Sequence, residues 1–159
     1  MNTELTTVDI TVSFKKKKPT TTKLNKLICW WTKSKYFHVE LIIGGKWISS
    51  NPDTGGVTIH NLEQLNDNWD YCKLPTITLT TQQYDRIMKW IESQSPKKYD
   101  WAGIIFSQVF PFTLHNRNKW FCSELCTTIL KLFLVQDVLD AEPNNVSPGD
   151  LARLLKFER

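Results

Sequence analysis

The sequence predicts an α+β domain in which helices pack on one face of a small, mostly antiparallel sheet. Three observations carry this. Apolar alternation with a period of two is concentrated in the first half of the chain, apolar stripes at helical spacing dominate the second half, and the pair Gly44-Gly45 joins two of the strand-like runs. With 159 residues, 41% of them hydrophobic, the chain fits one domain over residues 1–159, long enough to bury a core and too short for two comfortable ones.

The elements follow in order. Val8, Ile10, Val12 and Phe14 alternate with polar neighbours, the period of a half-buried strand. Leu24, Leu27, Ile28 and Trp31 recur at helical spacing after the cap candidates Thr20, Thr21 and Thr22. "YFHVELIIGGKWISSN" reads as two strands joined at Gly44-Gly45, because glycines reach the positive φ that a tight hairpin turn demands. "GVTIH" and "LPTITLT" supply further strands. "TTQQYDRIMKWIESQ" opens with a Thr80-x-x-Gln83 capping box and carries Tyr84, Ile87, Met88 and Ile91 on one stripe. Helical patterns follow at about 100–109 and 120–134, and a last one after Ser147-Pro148, where the serine caps and the proline suits the first turn.

Charge and composition narrow the function. The net charge is +4, too mild to point to nucleic acid. Its excess lies in Lys15 to Lys18 with Lys23, Lys26, Lys33 and Lys35. A solvated basic turn and helix face is the ordinary reading, and contact with an anionic partner such as a membrane surface is the other. "MNTELTTVDITVSF" lacks the uninterrupted apolar stretch of a signal peptide, and no segment approaches spanning length, so a cytoplasmic protein is expected. Its four cysteines then read as reduced thiols rather than a disulfide framework.

One cysteine stands out, in "KWFCSELCTTILKLFL". If a helix begins near Trp120, Cys122 lies in its first turn, where unpaired N–H groups and the helix dipole favour a thiolate. The same N–H groups would hydrogen-bond the oxygen of a tetrahedral intermediate. On local sequence alone, a cysteine between Phe121 and Leu125 is ordinary core. A nucleophile also needs a base, and there are three histidines. His60 ends a strand and His115 lies in a polar loop. His38 is different: in "FHVELII" alternation puts Phe37, Val39, Leu41 and Ile43 on the core face, and His38, Glu40 and Ile42 on the other, towards a second layer or a cleft. With Gly44-Gly45 as a two-residue turn, 41 faces 48, 40 faces 49 and 38 faces 51. Asn51 is thus a candidate to orient the imidazole, and Ser49 stands opposite Glu40.

These pieces carry a resemblance. "LNKLICWWTKSKYFHVELIIGGKWISSNPDTGGVTIHNL", followed by "KKYDWAGI", "WFCSELC" and "VSPGDLARLL", resembles the YiiX-like group of circularly permuted NlpC-type papain-like hydrolases. The His strand precedes the Cys helix, the reverse of ordinary papain-like enzymes. The likeness spans roughly Val8 to Leu155 in several short matches. It implies a permuted papain-like fold with Cys122 as nucleophile and His38 as base. The family's third polar residue falls at Ser49, where serine departs from the usual acidic residue or histidine, which leaves Asn51 or Glu40 to take over. Glu124, in the "CSE" motif, is read as a helix-start or structural contact.

The function implied is a cysteine hydrolase or acyltransferase that cleaves an amide, ester or thioester through an acyl-enzyme, with a small-molecule, lipid or peptide acyl substrate and no cofactor or metal. Trp30, Trp31, Tyr36, Phe37 and Trp120 flank the motifs and are candidates to wall an apolar channel, though such spacings are more often core. Three other readings compete: a viral-type maturation cysteine protease, which shares the His-then-Cys order; a metal site using Cys122 and Cys126; and a binding or structural module of the same fold with weakened catalysis.

Overall fold

The computed structural model describes residues 4–51, 54–61, 65–95, 98–99 and 119–158. The strands are β1 (Leu5–Val8), β2 (Ile10–Lys16), β3 (Tyr36–Ile43), β4 (Lys46–Asn51), β5 (Gly56–Asn61), β6 (Trp69–Lys73), β7 (Ile77–Thr80), β8 (Lys98–Tyr99) and β9 (Lys119–Trp120). The helices among the described residues are α1 (Lys23–Trp31), α2 (Thr81–Gln94), α3 (Cys122–Leu132) and α4 (Pro148–Leu154).

Seven strands form one sheet in the order β6-β2-β3-β4-β5-β8-β9, antiparallel except for the β8–β9 pair, and β1 pairs with β7 apart from it. The chain is therefore α+β, with helices packed on a mostly antiparallel sheet. The alternation from Val8 to Phe14 is real, with all four apolar residues buried, but Asp9 divides it between two sheets rather than one strand. The helical pattern expected at 100–109 lies outside the described residues.

The β3–β4 hairpin has the register that the sequence dictates: Ile43 pairs with Lys46, Ile42 with Trp47 and Leu41 with Ile48. Gly44 and Gly45 take φ of 56° and 75°, the left-handed values of a two-residue turn. The core is built on Ile10, Val12, Phe14, Val39, Leu41, Ile43 and Ile48, covered by Leu125, Ile129 and Leu130 of α3. Cys126 ties helix to sheet by donating its S–H to the Val39 carbonyl at 3.6 Å.

Local capping sets the helix ends. Thr80 Oγ1 accepts from Gln83 N at 3.1 Å while Gln83 Oε1 accepts from Thr80 N at 3.0 Å, and Ile91 of α2 is fully buried. Thr22 caps α1. That helix departs from the expected amphipathic packing: of its residues only Cys29 is buried, and its apolar stripe faces solvent.

The "SPGDL" segment is a second capping box. Ser147 Oγ accepts from Asp150 N, and Asp150 Oδ2 accepts from Ser147 N, both at 3.1 Å. Arg153 Nη2 donates to Asp150 Oδ1 at 2.6 Å and to the Thr32 carbonyl at 3.2 Å, which fastens α4 to the turn between α1 and β3. Gly149 is required there, because a Cβ would collide with the Ser34 side chain. Beyond α4, Glu158 Oε2 accepts from Ser34 Oγ at 2.5 Å, and Phe157 stacks on Phe14 with centroids 5.5 Å apart. The end of the chain therefore clasps the entry to the histidine strand. Among the described residues no helix is long and apolar enough to cross a membrane.

Candidate active site

Cys122 is the first residue of α3, and Phe121 is its N-cap, with no side-chain capping bond. A phenyl ring cannot accept a hydrogen bond from the first-turn amides, so the helix end presents N–H groups beside the sulfur rather than spending them on a cap. Ser123 Oγ donates to the Val146 carbonyl at 2.6 Å, and Leu125 N donates to Phe121 O at 3.1 Å. The Ser123 bond thus anchors the helix start to the segment before α4. Glu124 is buried in the same first turn, where a carboxylate suits the positive end of the dipole.

The imidazole meets the sulfur here. His38 and Cys122, 84 positions apart in the sequence, come close enough in the fold for the sulfur to act on the imidazole through charge and hydrogen bonding. The same ring donates from Nε2 to Glu40 Oε1 at 2.9 Å, and Ser49 Oγ donates to that same oxygen at 2.6 Å. With Nε2 taken by Glu40, Nδ1 is the nitrogen left for Cys122. His38 and Glu40 are each only 7% exposed, and Ser49 is 2% exposed. Both faces of β3 are therefore covered: Val39, Leu41 and Ile43 lie in the apolar core, and the His38–Glu40 face is buried too.

Strand pairing explains the neighbourhood. His38 faces Lys15 on β2, and Lys15 faces Trp69 on β6, so the three form one row across the sheet. The indole lies 5.9 Å from the imidazole and the Lys15 ammonium lies 5.4 Å from the indole centroid. The next row is Tyr71, Ser13 and Glu40. Trp47 leans on Trp69 at 5.4 Å and stacks on His60 at 6.5 Å.

Electrostatics follow from this packing. Burial alone would push His38 towards the neutral form, but the charge and hydrogen bond of Cys122, with those of Glu40, reverse this and raise its pKa from 6.5 to about 10. Burial likewise opposes ionisation of Glu40, yet the His38 and Ser49 hydrogen bonds hold it below its ordinary value. The arrangement sets the Cys122 sulfur beside a protonated imidazole that a carboxylate holds in one orientation. The other thiols differ, because burial raises Cys29 and Cys72, and raises Cys126 far above the usual range.

Cys122, His38, Glu40 and Ser49 are brought together. Asn51 lies beyond the end of the β3–β4 ladder at Leu41–Ile48, where it pairs with Gly56 of β5, and His38 Nε2 bonds Glu40. Glu40 shares the His38 face because residues two apart on one strand point the same way. His60 is exposed at its strand end, and His115 lies outside the described residues. Among the described residues no cluster of three metal-ligating side chains occurs. As a pair, Cys122 and Cys126 divide their roles, the first on the imidazole and the second on a backbone carbonyl. Of the suggested channel wall, Tyr36 is core and Phe37 half-buried, while Trp30 and Trp31 are exposed. Among the described residues Trp69 reaches the site, its ring 5.9 Å from the imidazole. Its strand, "WDYCK", is hard to read in sequence because Asp70 occupies a core-side position.

A scan against protein-family models gave no match, and searches of curated proteins and of solved structures likewise returned no similar chain.

Proposed function

We propose that the protein is a cysteine hydrolase or acyltransferase of permuted papain-like, YiiX-like architecture, working on an amide, ester or thioester. The observation that carries this reading is the buried relay Cys122–His38–Glu40–Ser49 at the start of a helix.

The chemistry follows from the roles. The Cys122 thiolate attacks the acyl carbon, a C–S bond forms, and the carbonyl oxygen becomes an oxyanion that the first-turn amides of α3 face. As the carbon–heteroatom bond breaks, the His38 imidazolium gives its proton to the departing nitrogen, oxygen or sulfur. Neutral His38 then takes a proton from water or an acceptor alcohol or amine as it attacks the thioester, and the thiolate is released. Glu40 holds the ring in one orientation and stabilises its charge, while Ser49 holds Glu40. The weakened-module alternative drew on a serine in the third position; Glu40 supplies the carboxylate that serine lacks, which favours the enzyme. A maturation-type protease would use the same groups and differ only in substrate.

The test is a panel of peptide, ester and thioester electrophiles offered to the wild type and to Cys122→Ala. Labelling confined to Cys122 of the wild type supports the proposal and its best electrophile names the substrate class. Equal, site-independent labelling of both proteins overturns it in favour of a binding module.

A further inference from the structure

Helix α1 is placed where a core helix would be but does not behave as one. Leu24 is 39% exposed, Leu27 55%, Trp30 71% and Trp31 50%. Leu24, Leu27 and Trp31 lie at i, i+3 and i+7, with Trp30 three residues after Leu27, so these side chains form a continuous apolar stripe. Single exposed apolar residues need no explanation, whereas four large ones on one nine-residue helix mark an interaction surface.

The charge around the stripe has one sign. Between Ile10 and Val39 there are eight lysines and no aspartate or glutamate. Lys16 and Lys35 pair with Asp70 at 2.7 and 3.1 Å, Lys18 bonds Asn68, and Lys26 donates to the Pro19 carbonyl at 2.7 Å. Lys17, Lys23 and Lys33 are exposed and have no carboxylate partner among the described residues.

We propose that α1 docks the protein on an anionic lipid surface: Leu24, Leu27, Trp30 and Trp31 enter the boundary between headgroups and acyl chains, and Lys17, Lys23 and Lys33 meet the phosphate and carboxylate headgroups. Indole rings favour that boundary and leucines favour the acyl layer beneath it. Juxtaposed lysines add attraction to acidic lipids. Nucleic acid fits less well, because Leu24 and Leu27 offer no stacking face. A second copy of the chain also fits less well, since a two-fold contact through this stripe would bring the same unpaired lysines against one another. The inference stands apart from the chemistry at Cys122.

The experiment is sedimentation of the full chain with vesicles of phosphatidylcholine alone and of phosphatidylcholine with phosphatidylserine, at about 0.1 M salt, where the screening length is about 10 Å. The expected result is partition onto the acidic vesicles that weakens as salt rises. Trp30→Ser with Trp31→Ser should reduce it by about tenfold or more, and Lys17→Gln or Lys23→Gln by roughly fivefold each. Because these side chains are exposed, circular dichroism of the variants should match the wild type. Leu27→Ser provides a second apolar test should the tryptophan pair alter the fold. Equal partition of the wild type and the apolar variants overturns the proposal. So does preferential binding of a single-stranded oligonucleotide that depends on the same residues, or a concentration-dependent dimer abolished by the tryptophan substitutions.

Discussion

Glu40 Oε1 accepts the hydrogen bond of His38 Nε2 at 2.9 Å from a position two residues further along the same strand. The carboxylate and the imidazole are therefore held by one rigid element, and their geometry does not depend on how two strands pair. Glu40→Gln should leave the fold in place but lower the rate of acyl transfer by roughly a hundredfold, within the range of general acid–base contributions. Glu40→Ala, which leaves a buried imidazolium without its carboxylate, should also cost about 3–5 kcal/mol of stability by denaturant titration.

The pH profile tests the same pair. In the proposed mechanism His38 must be protonated to assist the leaving group, and its pKa is raised to about 10. Activity should persist through the neutral range and fall as pH rises through that value. Glu40→Gln removes one of the raising influences, so the alkaline limb should move to lower pH, which a pH–rate profile reads directly.

Thiol reactivity should rank the cysteines. Cys29, Cys72 and Cys126 are shifted towards the unreactive thiol by burial, whereas Cys122 has an imidazolium partner. Near neutral pH, Cys122 should be alkylated at least tenfold faster than the rest, and His38→Ala should remove that advantage. Mass spectrometry of partially labelled protein checks the order.

The two serines flanking Glu40 should behave oppositely. Ser49→Ala removes a 2.6 Å donor from a buried carboxylate and should cost about 1.5–3 kcal/mol. Ser13 faces Glu40 on the other neighbouring strand, but its buried hydroxyl has no hydrogen-bond partner among the described residues. Ser13→Ala should therefore be neutral or stabilising in the same denaturation assay.

Stability should pass through a maximum. Glu40, Asp70 and Asp150 are all held below their ordinary values of 4.5, 3.8 and 3.8, so their contribution is complete above those values and lost as pH falls through the folded ones. His38 works in the other sense: its contribution is complete below 6.5 and lost as pH rises through about 10. Thermal melting should be most favourable between roughly pH 5 and 6.5, and His38→Ala should flatten the alkaline side.

What was legible in the sequence was local and periodic. Thr80 and Ser147 announce their helices because capping needs a hydroxyl three residues before a partner. Gly44-Gly45 sets the hairpin register because turn geometry leaves no choice. Cys122 and His38 could be nominated from a helix start and a strand face, and the structure joins them. What periodicity could not supply was which surface finds a partner. The stripe of α1 has the spacing of a core helix and faces water. Asp70 looks like a surface residue, yet Tyr36 Oη donates to it at 2.9 Å beneath Lys16 and Lys35. Cross-strand counting points to Asn51 as the partner of the imidazole, whereas the bond at His38 Nε2 is made by Glu40 on the same strand.

The clasp made by residues 147–158 on Ser34, Lys35 and Tyr36 has a consequence for timing. On a ribosome His38 emerges before Cys122, and the stretch that fastens the turn leading into the histidine strand emerges after both. The growing polypeptide therefore carries His38 and Cys122 before it carries the latch that steadies the turn beside them.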